Sequence, residues 1–149
     1  MNTQQENQII EQALSILEAR TLKTSDALTS ADDVRSYLAL QLTEVEHEVF
    51  VVIFMNNRNQ VIEFNQMFRG TINGASVYPR EVVKQALKVN AAAVIFAHNH
   101  PSGIAEPSQA DRSITNQLAT ILDIIDVRVL DHFIVGGANT YSFTENGLL

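Results

Sequence analysis

Two histidines separated by a single residue are the feature of this 149-residue sequence that most directly suggests chemistry. His98 and His100 follow the apolar run Ala91–Ala97, which predicts a buried β-strand. Residues two apart in an extended chain project to the same side, so both imidazoles are expected to face one point. The spacing indicates a metal site. The alternative is that this HNH tripeptide only satisfies nearby backbone groups at the start of a loop.

Asp111, eleven residues after His100, is the candidate for a third ligand. The intervening loop contains two prolines and a glycine, and we expect it to fold back over the end of the strand. Ser108 and Asp111 also have the spacing of a helix capping box, in which each side chain satisfies a backbone N–H whether or not a metal binds. Both interpretations of Asp111 are open at the level of the sequence.

Two imidazoles and one carboxylate form a ligand set typical of catalytic zinc, which keeps a fourth position for water. Zinc lowers the pKa of that water to near neutrality, and hydrolysis then needs a carboxylate to take up its proton and pass it on. Glu48, at the threshold of the first apolar strand, is the preferred candidate. Glu44 and Glu46 precede Glu48 by four and two residues, so in an extended chain all three side chains would point to the same side. Spacing alone therefore does not decide which of the three is the base.

The composition excludes several other kinds of site. The sequence has 0 Cys, which rules out disulfides, thiolate zinc ligands and a cysteine nucleophile. A metal would therefore be bound by histidine, carboxylate or water, and the sequence has 4 His. The net charge of −7 disfavours a broad basic surface for nucleic acid. Because no apolar run reaches the roughly 18 residues of a membrane span, we expect a cytoplasmic protein without membrane contact.

Hydrophobic periodicity predicts the elements that position these residues. Local hairpins among them indicate antiparallel pairs within a mixed α/β sheet. The predicted elements are a helix over 4–20, a polar linker over 21–29, a helix opened by Ser30 and Asp33, strands over 49–55 and 61–68, an extended segment from Gly70 to Tyr78, a helix from Pro79, a strand over 91–97, a helix over 108–123, a strand over 127–135 and its hairpin partner over 141–143.

The ordered set Glu48, His98-Asn99-His100-Pro101, Ser108 and Asp111 fits the pattern E…HxH…(seven residues)…SxxD, and so resembles the JAMM metallopeptidases, whose domain is also called MPN. Flanking segments resemble the bacterial RadC-like branch in particular: RGT (69–71), VYPREVV (77–83), HNHPSG (98–103), PSQAD (107–111), LDHFIVG (130–136) and SFTENGLL (142–149). The resemblance covers residues 27–149. Residues 1–26 are then expected to form a helical extension and linker.

The resemblance implies a cytidine-deaminase-like α/β fold, in which helices flank a curved mixed sheet. It implies Zn²⁺ held by His98, His100 and Asp111, with Glu48 as general acid/base and Ser108 as a hydroxyl donor to the oxyanion. The implied activity is hydrolysis of an amide bond in a peptide or protein. The alternative is an accessory or binding protein of DNA repair with a structural or vestigial metal site. Relatives in this branch with a longer N-terminal region carry a helix-hairpin-helix module associated with DNA, which we do not expect in a sequence of this length.

His132, in the segment LDHFIVG, is a further candidate. It has the position to orient a metal ligand through a hydrogen bond. The alternative is an ordinary strand histidine whose ring is satisfied locally.

Overall fold

The computed structural model describes residues 1–23, 31–70 and 76–149. Helices and strands alternate along most of this part of the chain. In chain order they are α1 (Thr3–Lys23), α2 (Ala31–Leu42), β1 (Val49–Met55), β2 (Val61–Arg69), α3 (Pro79–Lys88), β3 (Ala93–Asn99), α4 (Gln109–Ile124), β4 (Arg128–Gly136) and β5 (Asn139–Ser142).

The five strands form one sheet in the order β2-β1-β3-β4-β5. All neighbouring pairs are antiparallel except β3 and β4, which are parallel and are connected through α4. Strands β1 and β3 are buried along their whole length. Strands covered on both faces are apolar on both faces, which is why their sequences are continuous hydrophobic runs. The mixed sheet flanked by helices confirms the expected fold class.

Side chains of β1 and β3 alternate between two hydrophobic cores, one on each face of the sheet. Helices α1 and α2 cover one face, where Leu38 and Leu42 pack against Val51 and Ile53. Helices α3 and α4 cover the other, where Phe96 packs with residues that include Val82, Ala86, Leu118 and Leu122. In this arrangement of one sheet between two layers of helices, the carboxyl end of β3 lies beside the start of α4. None of the helices in the described residues is both long and apolar enough to cross a membrane.

The structure changes one predicted boundary that matters for the site. The strand expected over 91–97 is β3, and it continues through His98 and Asn99 because Phe50 of β1 pairs with His98. The backbone therefore stays extended through His98 and Asn99, as it must if the imidazoles of His98 and His100 are to face the same side.

Two other predicted segments have a different outcome. Tyr78 has an extended backbone (φ −107°, ψ 107°) but belongs to no strand, and residues 71–75 of the predicted extended segment lie outside the described residues. The predicted linker over 21–29 overlaps α1 up to Lys23, and its remainder also lies outside them.

Packing of α2 on the sheet can be tested with two leucines of the same helix. Leu38 has an exposed fraction of 0% and Leu40 of 37%. We expect Leu38→Ala to lower the free energy of unfolding by about 2–5 kcal/mol, because it leaves a cavity in the core. Leu40→Ala should change it by less than about 1 kcal/mol. Urea denaturation measures both, and equal losses would contradict the described orientation of α2.

Candidate metal centre

Four side chains from three parts of the chain meet at the carboxyl end of β3. Glu48 directly precedes β1, His98 is near the end of β3, His100 follows it, and Asp111 is in the first turn of α4. One ligand atom from each residue lies within 4.8 Å of the others. The structure therefore brings together the four residues that the sequence analysis proposed as ligands and general base.

Three of these side chains form a tight group, and the fourth is set back from it. Nε2 of His98 lies 3.0 Å from Nε2 of His100 and 3.2 Å from Oδ1 of Asp111, and Nε2 of His100 lies 3.0 Å from Oδ2 of Asp111. Oε1 of Glu48 is 4.0 Å from Nε2 of His98. Ligand atoms about 2.0–2.1 Å from a tetrahedral zinc ion are about 3.3 Å apart. The spacing of His98, His100 and Asp111 is thus close to that of a zinc ligand set.

Glu48 is distinguished from its two neighbours by the fold. Its side chain is 17% exposed and faces His98, whereas Glu44 and Glu46 are exposed and are not part of the cluster. Of the three glutamates that the sequence could not separate, Glu48 is therefore the one whose carboxylate lies next to the histidines.

Asn99 binds the backbone on both sides of Glu48, and the sequence analysis missed it. Its side chain is buried on the face of the sheet opposite His98. Its Oδ1 accepts from the N–H of Val49 at 2.8 Å, and its Nδ2 donates to the carbonyls of Val45 (3.2 Å) and His47 (3.1 Å). These bonds hold the segment that carries Glu48. The sequence did offer a sign of this role, because Asn99 directly follows an apolar run that predicts a buried strand. A buried amide needs hydrogen-bond partners, since an unpaired one is costly.

Asp111 and Ser108 do form the capping box at the start of α4. The N–H of Asp111 donates to Oγ of Ser108 at 3.0 Å, and the N–H of Ser108 donates to Oδ2 of Asp111 at 2.9 Å. The same carboxylate faces both imidazoles. The two interpretations left open by the sequence are therefore compatible, because Asp111 caps the helix and joins the cluster at once.

His100 is oriented by the loop that follows it. Its Nδ1 donates to the carbonyl of Ile104 at 2.8 Å, which turns Nε2 toward the cluster. This loop packs closely against Gly136 at the end of β4. A Cβ at Gly136 would lie 2.4 Å from the backbone nitrogen of Ala105 and 2.7 Å from the carbonyl carbon of Ile104, so only glycine allows this approach.

His132 lies inside the sheet next to the cluster. It is fully buried, its Nε2 is 2.7 Å from Nδ1 of His98, and its Nδ1 is 2.6 Å from Oγ1 of Thr115. Burial lowers the pKa of His132 well below the ordinary histidine value. The hydrogen bond to a candidate ligand that the sequence analysis considered is therefore present, and the ring is also satisfied locally.

The carboxylates of the site differ in their affinity for protons. Burial alone raises the pKa of Asp111, but the adjacent imidazoles of His100 and His98 outweigh it and hold that pKa well below the usual range. Burial raises the pKa of Glu48. The hydrogen bond to Asp111 raises the pKa of His100. Of the two carboxylates, Glu48 is therefore the one that accepts a proton more readily.

A cavity of about 180 Å³ opens beside the cluster. Three of its lining residues are polar members of the cluster and four are apolar. They are Glu48, His98 and Asp111, together with Phe50, Val77, Ala110 and Ile114.

The comparison with protein families gives one clear result. A family described as the RadC-like JAB domain matches residues 28–148. The chain belongs to this family. The resemblance noted in the sequence is confirmed, and the cluster lies within the matched residues.

Several similar proteins are named UPF0758 proteins. One from Vibrio cholerae serotype O1 is 51% identical over 144 residues, which are 97% of this chain and 90% of that protein. One from Nitrosospira multiformis is 57% identical over 95% of this chain and 62% of that protein, and one from Vibrio vulnificus is 57% identical over 87% and 58%. The chain spans less than two thirds of the length of the last two relatives.

The positioning of Glu48 by Asn99 predicts a large cost for removing that amide. Asn99→Ala leaves one buried N–H and two carbonyls without their partner, so we expect the free energy of unfolding to fall by about 2–4 kcal/mol. Asn65→Ala is a control, because within the described ranges the side chain of half-buried Asn65 bonds only to Glu63. It should cost less than about 1 kcal/mol. Urea denaturation compares the two, and a cost at Asn99 no larger than at Asn65 would contradict the assigned role.

Proposed function

We propose that this protein is a zinc-dependent hydrolase that cleaves an amide bond, acting as a peptidase or isopeptidase. The observation that carries the proposal is the arrangement of His98, His100 and Asp111, whose side-chain contacts are 3.0–3.2 Å, with the carboxylate of Glu48 set back to 4.0 Å from His98. A structural zinc site closes with a fourth protein ligand, whereas a catalytic one keeps a position for water. A carboxylate beside the ligands supports the catalytic interpretation over a structural or vestigial site.

The ligands in this proposal are His98, His100 and Asp111. Their chemistry fits zinc, since the site offers two imidazole nitrogens and one carboxylate that stays ionised. When bound, zinc supplies Lewis acidity that polarises a carbonyl and makes water more acidic.

Glu48 is the general acid/base in this proposal. Its raised pKa suits it to take a proton from the attacking water. It then delivers that proton to the nitrogen of the leaving amine, so the amide bond breaks without expelling an unstable amide anion. The bonds from Asn99 hold the neighbouring backbone in place during both transfers.

Ser108 and the apolar cavity wall complete the proposed site. Oγ of Ser108 accepts from the N–H of Asp111 and still carries its own hydrogen, which we assign as a donor to the oxyanion of the tetrahedral intermediate. Such preorganised donation is commonly worth a few kcal/mol of barrier. The apolar walls formed by Val77 and Ile114 suit an apolar substrate side chain next to the amide that is cleaved.

We assign this activity to a domain spanning residues 27–149, with residues 1–26 as a helical extension and linker. Leu14 and Leu17 of that extension pack against the core of the domain. A peptide or protein in the cytoplasm is the proposed substrate. Nucleic acid is not proposed as a partner, because the net charge of −7 opposes binding to phosphates.

Metal analysis tests the ligand set. Untagged protein purified without chelator should contain about one zinc ion per chain, as for a single catalytic site. The double variant His98→Ala with His100→Ala should lose it, because two of three ligands are gone. His47→Ala is the control and should keep zinc, since His47 is not part of the cluster. Equal metal content in the parent and the double variant would show that the ligands are assigned wrongly.

Glu48→Gln tests the general acid/base. The amide keeps the size of the side chain but has no basic oxygen to accept the proton, so the variant should retain zinc while kcat falls by about 10²–10⁴-fold. A panel of fluorogenic peptide and isopeptide amides serves as the substrate. Glu46→Gln, at an exposed position of the same segment, should leave kcat unchanged. Full activity in Glu48→Gln, or an equal loss in Glu46→Gln, would exclude the assignment.

A further inference from the structure

We propose that His132 and Thr115 are positioning residues that fix which ring nitrogen of His98 carries hydrogen. They hold His98 with its proton on Nδ1, so that Nε2 faces the cluster as a free lone pair. The inference rests on the proposed function in that it takes His98 as a metal ligand. It goes further by naming the two residues that make His98 ready to bind before any metal arrives.

A continuous chain of short contacts leads away from His98 into the core. Nδ1 of His98 lies 2.7 Å from Nε2 of His132, and Nδ1 of His132 lies 2.6 Å from Oγ1 of Thr115. Oγ1 of Thr115 lies 2.7 Å from the backbone carbonyl oxygen of Asp111. The chain thus starts at one ligand of the cluster and ends on the backbone of another.

The last contact determines the direction of all the others. A carbonyl oxygen only accepts, so Thr115 donates its single hydroxyl hydrogen to Asp111. Oγ1 of Thr115 must then accept from Nδ1–H of His132. A neutral imidazole has one N–H, so Nε2 of His132 is a lone pair and accepts from Nδ1–H of His98. Nε2 of His98 is left without hydrogen, as a metal ligand requires.

The surroundings of His132 keep its ring neutral. The side chain is fully buried among aromatic rings: Phe143 stacks on it with centroids 4.6 Å apart, and Phe50 and Phe96 meet it edge-on at 5.5 and 5.8 Å. A cation in this apolar environment carries a large desolvation cost. The titratable groups near it are His98, His100 and Asp111, and His98 is the one it touches through a ring nitrogen.

His100 shows why His98 needs this arrangement. Nδ1 of His100 donates to the carbonyl of Ile104, and a carbonyl fixes the tautomer by itself. An imidazole partner can either donate or accept, and Oδ1 of Asp111, 3.2 Å from Nε2 of His98, favours a hydrogen on that nitrogen. Contact with His132 alone therefore leaves the tautomer of His98 undetermined. Thr115 removes the ambiguity on the Nδ1 side, because its bond to the carbonyl of Asp111 leaves only one consistent direction along the chain from His98 to Thr115.

The experiment uses three variants of the full chain and two measurements that do not depend on hydrolysis. His132→Phe keeps an aromatic ring in an aromatic environment but removes the acceptor for His98. Thr115→Val keeps the shape of Thr115 but removes its hydroxyl. His132→Gln is the conservative rescue, since an amide offers one acceptor toward His98 and a donor toward Thr115. Long-range ¹H–¹⁵N NMR of metal-free protein reports the tautomer of His98, and competition with a chromophoric chelator gives the Kd for zinc.

We expect metal-free parent protein to carry the His98 proton on Nδ1. In His132→Phe the proton should be distributed over both nitrogens, and zinc affinity should fall by about 10–100-fold, as for loss of a hydrogen bond to a ligand. Thr115→Val should shift both measurements in the same direction. His132→Gln should restore most of the affinity. A parent His98 protonated on Nε2, or a Kd for zinc in His132→Phe within about twofold of the parent, would overturn the proposal.

Phe143→Leu separates positioning from packing. It loosens the contact with His132 without removing a member of the hydrogen-bond chain. Its zinc affinity should stay near that of the parent, and a loss as large as in His132→Phe would show that packing alone explains the effect.

Zinc binding without hydrolysis of any amide would refute the proposed function but not this inference. If the parent binds no zinc, the ligand assignment fails, and the tautomer of His98 alone decides the role of His132.

Discussion

The pairing of β3 with β1 keeps the backbone extended through His98 and Asn99, and the geometry of the site follows from it. Side chains of an extended strand alternate between faces. His98 therefore lies on the face of Phe50 and Phe96, where it meets His132, and Asn99 lies on the opposite face, where it binds the segment before β1. Adjacent residues of one tripeptide thus contribute to the candidate metal cluster and to the placement of Glu48. A shift of β3 by one residue would exchange these roles and destroy both.

The parallel crossover from β3 to β4 adds the second half of the site. It brings the first turn of α4 to the carboxyl end of β3, so that Asp111 stands at a helix N-terminus, where negative charge is favourable. The carboxylate is already stabilised there by its capping bond with Ser108. Helix formation and assembly of the cluster consequently depend on the same side chain, and folding of α4 places a ligand without a separate conformational cost.

The parts of this structure that follow from local pattern could be predicted, and those that follow from distant contacts could not. Apolar runs predicted the strands, and spacing proposed His98, His100 and Asp111, which the structure brings together. Glu48 could not be separated from Glu44 and Glu46 because all three share one phase, and the deciding bonds come from Asn99, about fifty residues away. The contact between His132 and Thr115 likewise requires the register of β4 and the rotation of α4, neither of which a single sequence encodes locally.

The close approach of the loop after His100 to Gly136 has a consequence for how this site can diversify. Surface loops usually tolerate insertions, because the entropy of closing a loop grows slowly with its length. This loop joins two residues of the cluster and is confined by backbone on its inner side, so added residues would change the distance between His100 and Asp111. Changes in the shape or chemistry of the cavity would have to arise from segments that border it without linking two members of the cluster, such as the one carrying Val77.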